Sequence, residues 1–157
     1  LCTAFLASRV IGAFEGSIEK IVALAALMPI VAGIGGNSGN QTITMIVRAL
    51  ATGQLSDLKA ARLLKKEVGV ALANGLIWGS VMGIATWFLY GSIGIGLVMV
   101  VALTLNLLLA ATVGVLIPVT MEKLGRDPAL GSSVMITAVT DSGGFFIFLG
   151  LATIFLL

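Results

Sequence analysis

The chain has 157 residues, of which 59% are hydrophobic and 10% charged, with a formal net charge of +2. Soluble globular domains run at about 45–50% apolar and about 25% charged residues, so an ordinary water-exposed domain is excluded. The small net charge offers nothing to nucleic acid, and a single cysteine, Cys2, with no histidine excludes an internal disulfide and a Cys/His metal cluster.

In chain order, charge falls into a few links separated by long apolar stretches. No charged residue lies between Lys20 and Arg48 or between Glu67 and Glu122, and after Asp127 only Asp141 remains. A helix needs roughly 20 apolar residues to cross a bilayer. Five membrane segments are therefore expected. The first ends near Phe14 and starts inside apolar sequence, so residues 1–157 read as a transmembrane domain cut from a larger protein, with the start of its first helix trimmed away. The second runs from about Ile18 through a glycine cluster toward Arg48, the third from Val68 to Tyr90, the fourth from Gly96 to Met121 and the fifth from Pro128 to the end. A turn is expected within Tyr90–Gly96. The apolar runs are continuous rather than alternating, which points to helices instead of barrel strands. The fold class is thus all-α integral membrane.

Orientation follows from lysine and arginine. Arg48, Lys59, Arg62, Lys65 and Lys66 lie in one link, Lys123 and Arg126 in another. The positive-inside rule puts both in the cytoplasm, with the N-terminal side cytoplasmic and the C-terminus outside. Ser56 to Glu67 reads as a short amphipathic helix, capped by Ser56 or Asp57, whose cations fix topology and touch lipid headgroups.

Asp141 lies about half-way along the fifth segment. A charge at mid-membrane costs about 2.5–3.5 kcal/mol on insertion scales, so it is expected to face a cavity or a partner; Arg9 is the one basic residue available to pair with it. Ser133, Thr137 and Asp141 are spaced by four and share a helix face, which Gly144 is expected to continue. Such a stripe suits water and a hydrated cation, or else a close helix seam. Phe145, Phe146 and Phe148 are expected to pack outward.

The second polar feature is the run Pro29 to Gln41, with Gly33, Gly36, Asn37 and Asn40 as candidate path-lining residues. Non-helical backbone at membrane depth is tolerated only inside protein or along water; a tight helix crossing is the equal alternative. Gly33-Ile34-Gly35 begins like a dinucleotide fingerprint, but the third glycine falls at Ser38 and no βαβ pattern surrounds it. An intramembrane aspartyl protease needs a second membrane aspartate. No enzyme is expected. A secondary transporter coupled to Na⁺ or H⁺, with a broken-helix site at Gly33–Asn40, and a non-transporting scaffold are the competing readings.

The run Pro29 to Gln41 followed by Ile46-Val47-Arg48-Ala49-Leu50-Ala51, Phe14-Glu15 ahead of it, Gly125-Arg126-Asp127-Pro128-Ala129, Thr140-Asp141 and Gly143-Gly144-Phe145-Phe146 together resemble the MgtE family of Mg²⁺ channels over essentially the whole chain. The resemblance implies five helices per subunit in a homodimer embedded among lipids as a multi-pass protein of the cell membrane. It implies a pore lined by the second and fifth helices, and Mg²⁺ as the transported ion, with other divalent cations as candidates only. Asp141 matches the family's pore carboxylate; Thr137 and Ser133 match the positions one and two turns earlier, where some members carry Asn in place of Ser133. The family's cytoplasmic N-terminal domain and CBS pair fall outside this chain. One Asp141 per subunit near a two-fold axis would present two carboxylates to one path. Because Mg²⁺ sheds water reluctantly, Asp141 is expected to hold it through its hydration shell, helped by the backbone carbonyls of Ser133 and Thr137 or of Gly-rich turns.

Overall fold

The computed structural model describes residues 1–157, the side chain of Asp57 excepted, and its described elements are all helices. They are α1 (Cys2–Ala13), α2 (Glu15–Lys20), α3 (Ala23–Ala51), α4 (Asp57–Tyr90), α5 (Ile93–Lys123) and α6 (Ser132–Leu156). Three of them are long and apolar enough to cross a membrane, at Leu58–Tyr90, Ile93–Lys123 and Ser132–Leu156. α3 has the length, 29 residues, but its Gly/Asn/Gln run lowers its mean hydropathy; α1 has only 12 residues.

Several expected boundaries move. Ile18 belongs to the separate helix α2, because the chain leaves helical geometry at Ile21, φ −131° and ψ 82°, before α3 begins. The amphipathic segment after Ser56 is no separate helix: it runs unbroken into the apolar segment as α4, 34 residues long. No glycine or proline lies between Asp57 and Glu67 to interrupt it. Ser56 holds the N-cap position without a side-chain bond, and the alternative cap, the Asp57 side chain, lies outside the described residues. The expected turn is confined to Gly91 and Ser92. Gly91 ends α4 in the left-handed region at φ 65°, its N–H bonded to the Trp87 carbonyl, a conformation that glycine adopts without strain. Ser92 then caps α5 by accepting from the Ile95 N–H at 3.4 Å.

α3, α5 and α6 pack against one another; α4 lies on the far side of α5 and α1 against α6. The core joins Leu24 and Val31 of α3, Met99 and Leu103 of α5, and Phe148 and Leu149 of α6, all fully buried. Phe148 therefore points inward, contrary to expectation, while Phe146 stays exposed at the edge of the Phe14 ring, 5.9 Å away. On the α4–α5 seam, a Cβ on Gly75 would lie 2.7 Å from the Thr104 Cα and one on Gly83 2.8 Å from the Gly96 carbonyl. That backbone approach is open only to small residues.

The break at Gly33–Asn40 that the competing transporter reading requires is absent: α3 is regular helix through the whole run. Its Gly35 and Gly39 are buried where α5 and α6 come close. Gly35 and Gly39 thus serve helix crossing and do not unwind the backbone, and the broken-helix transporter site has no counterpart here.

Candidate functional site

The site is built from two helix faces. On α6, Ser132, Ile136, Thr140, Gly144, Phe148 and Ala152 recur every four residues and are all buried. The next register, about 100° further round the helix, holds Ser133, exposed, with Thr137 and Asp141 half-buried. The predicted stripe is therefore real, and it borders the packed face without entering it. Gly144 is the exception. Instead of continuing the stripe, it follows Thr140 by one four-residue step and so sits in the buried register, where a Cβ would lie 2.7 Å from the Asn106 Nδ2.

On α3, Gly33, Asn37, Gln41, Thr44 and Arg48 fall at steps of three and four and are exposed. Asn37, Asn40, Gln41 and Thr44 line an open groove. Gly36 is half-buried in the seam with α6, its missing Cβ facing the Thr140 hydroxyl at 3.6 Å. Gly33 has open space where a Cβ would stand.

Asn40 joins the two faces. Its Nδ2 donates to the Gly36 carbonyl at 3.0 Å, and its Oδ1 accepts the Ser133 hydroxyl at 2.6 Å. The Thr137 hydroxyl donates back to the Ser133 carbonyl at 2.8 Å, so the carbonyl expected to meet a hydrated ion is already occupied along its own helix. Asp141 takes no hydrogen bond or ion pair from the described residues, and Arg9, its one candidate partner, is exposed on α1 without an ion pair. Among the described residues no three acidic, cysteine or histidine side chains gather as a metal site. A cation bound here would meet one carboxylate per chain, with hydroxyl and amide groups beside it, a set suited to an ion that keeps its water.

Sequence reasoning missed Asn106. It is fully buried in the middle of α5, its Nδ2 donating to the Val31 carbonyl of α3 at 2.8 Å, while its Oδ1 has no partner among the described residues. It fills the space left by Gly35 of α3 and Gly144 of α6. The available signal was a lone amide in the apolar run Leu105-Asn106-Leu107, since polar side chains inside membrane bundles tie helices together.

The chain is similar to known proteins over most of its length. A family model described as "MgtE: Divalent cation transporter" matches residues 28–151. The chain is 35% identical over 99% of its length to a protein of Thermus thermophilus named Magnesium transporter MgtE. It is 30% identical over 96% of its length to one of Bacillus subtilis and 30% identical over 95% to one of Enterococcus faecalis, both with the same name. The chain spans about a third of those relatives, 34%, 34% and 33% of their lengths.

Proposed function

Because the chain belongs to the MgtE family of divalent cation transporters, we propose that it carries Mg²⁺ across a cell membrane, through a pore that two copies share. The observation that carries this reading is Asp141: a carboxylate half-way along an apolar helix, half-buried, and free of any hydrogen bond or ion pair to the described residues. A carboxylate at that depth needs water, a cation or a partner molecule. The exposed polar face of α3 beside it has the same need, and a second copy related by a two-fold axis meets both, leaving a wet path between the subunits.

In this arrangement α3 crosses the membrane packed against α5 and α6, α4 crosses beside α5, and α1 completes five crossings. The N-terminal side lies in the cytoplasm and the C-terminus outside. Gly33, Asn37 and Asn40 line the path from α3; Ser133, Thr137 and Asp141 line it from α6; Gly36 and Gly144 stand behind them and let the helices close up. The two Asp141 carboxylates hold Mg²⁺ through its hydration shell. At an effective dielectric of about 20 and a separation of about 5 Å, each attracts a divalent ion by roughly 7 kcal/mol before desolvation, which offsets most of it. The residual attraction selects divalent over monovalent ions, and the retained water keeps binding weak enough for release.

The test is Mg²⁺ flux into liposomes containing the purified chain, followed with an entrapped Mg²⁺ indicator. Asp141→Asn is expected to cut the flux at least about tenfold, the equivalent of about 1.4 kcal/mol, without changing assembly, while Asp141→Glu retains part of it. Unchanged Mg²⁺ flux and selectivity in Asp141→Asn would remove the carboxylate from the path.

A further inference from the structure

A second groove, which Asp141 does not line, lies where the end of α3 meets the start of α4. It is lined by Ala49, Gln54, Leu55, Lys59, Arg62, Leu63 and Lys66. Lys59, Arg62 and Lys66 stand at steps of three and four on one face of α4, are exposed, and have no ion pair among the described residues. The neighbouring acid Glu67 is directed elsewhere, accepting the Thr42 hydroxyl of α3 at 3.2 Å. A groove bearing three cations repels a divalent cargo ion and attracts an anion. We propose that it binds the headgroup of an anionic phospholipid.

Two observations favour a lipid over a soluble anion. The groove is amphipathic: Ala49, Leu55 and Leu63 supply an apolar wall beside the cations, and Gln54 supplies an amide that can donate to phosphate or ester oxygen. Its depth is also right. α4 continues without a break from Lys66 into the apolar stretch that starts at Val68, so the cations sit at the edge of the hydrocarbon. From Lys59 to Lys66 the helix rises about 10 Å at about 1.5 Å per residue. The headgroup layer on one side of a bilayer is about 5–8 Å thick, so three cations on one stripe span it. Basic grooves between helices at that level recognise anionic headgroups. The inference needs α4 to be membrane-embedded but does not depend on Asp141 or on which ion is carried, and its readout is lipid binding alone.

The experiment is native mass spectrometry of the detergent-purified chain titrated with dioleoylphosphatidylglycerol or dioleoylphosphatidylcholine. The wild-type chain is expected to retain phosphatidylglycerol in preference to phosphatidylcholine. The triple variant Lys59→Gln, Arg62→Gln, Lys66→Gln is expected to bind phosphatidylglycerol about 100-fold more weakly, each cation contributing a few-fold. A variant with the same charge loss elsewhere, Lys20→Gln, Lys65→Gln, Arg126→Gln, is expected to bind like wild type. All six side chains are exposed, so neither variant endangers the fold. Equal binding by the two triple variants would overturn the proposal. So would indifference to the lipid headgroup, or full displacement of the lipid by millimolar inorganic phosphate, which would make the groove a site for a soluble anion.

Discussion

The Ser133 hydroxyl of α6 donates to the Asn40 side-chain oxygen of α3 at 2.6 Å, joining two helices whose positions in the sequence are 93 residues apart. This bond gives the polar run of α3 and the polar stripe of α6 a common edge. It also changes what a substitution at Ser133 should do. Were only its backbone carbonyl in use, Ser133→Ala would be silent. With the hydroxyl bonded across the seam, Ser133→Ala and Asn40→Ala should each destabilise the chain, and a double-mutant cycle should return a coupling of about 0.6 kcal/mol, with about 1.7 kcal/mol as the ceiling for such bonds in membranes. Unfolding in mixed micelles reads the cycle; strictly additive losses would show that the bond contributes nothing.

Gly144→Ala should be costly although it adds a single methyl. The new Cβ would stand 2.7 Å from the Asn106 Nδ2 and 3.1 Å from its Cγ, and Asn106 is fully buried and tied to the Val31 carbonyl. Overpacking of this kind costs about 1–3 kcal/mol. Adding Asn106→Ala should recover part of the loss by restoring volume, at the expense of the bond to α3. The same unfolding assay checks it: a double variant less stable than the sum of the singles would mean that Asn106 is not the group in the way.

Assembly can be read from disulfide trapping. In a Cys2→Ser background, Asn37→Cys places a thiol on the exposed polar face of α3, the face proposed to meet a second copy. Mild oxidation in membranes should give a covalent dimer. Leu76→Cys, exposed on α4 and on the lipid side in this arrangement, should stay monomeric. Trapping at Leu76 but not at Asn37 would place the interface on the other side of the molecule.

Topology has two usable positions. Gln54→Cys sits in the exposed link between α3 and α4, and Ile93→Cys at the exposed start of α5. Gly94 is a poorer choice, since a Cβ there would meet the Leu156 side chain at 2.6 Å. An impermeant thiol reagent applied from outside should label Ile93→Cys and spare Gln54→Cys; the opposite pattern would invert the proposed orientation.

Much of this was legible in the sequence because the bilayer simplifies the problem. Long uncharged runs must be helices, since hydrocarbon offers backbone groups no other partner. Composition gives five apolar segments, of which three are helices long and apolar enough to cross a membrane, and it gives the turn at Gly91. A step of four residues on a helix is fixed geometry, so Ser133, Thr137 and Asp141 had to share a face, and a lone intramembrane carboxylate stood out by its cost. The family could be read for a related reason: the motifs at Pro29–Gln41 and Thr140–Gly144 are local.

What only the tertiary structure decided is which way each face turns. Asn37 is exposed and Gly35 buried, two residues apart in one run, and composition cannot rank them because glycine and asparagine serve a helix seam and a wet path equally well. The partners decide: Asn106 of α5 fills the space at Gly35 and Gly144, and Ile136 of α6 meets Gly39. Those contacts take up the small residues as close-packing sites, keep α3 helical where the sequence could equally have been read as broken, and turn Phe148 into the core. Periodicity gives the relative angle between residues on one helix. The absolute rotation of each helix is set by long-range packing against the others, and no single segment contains that information.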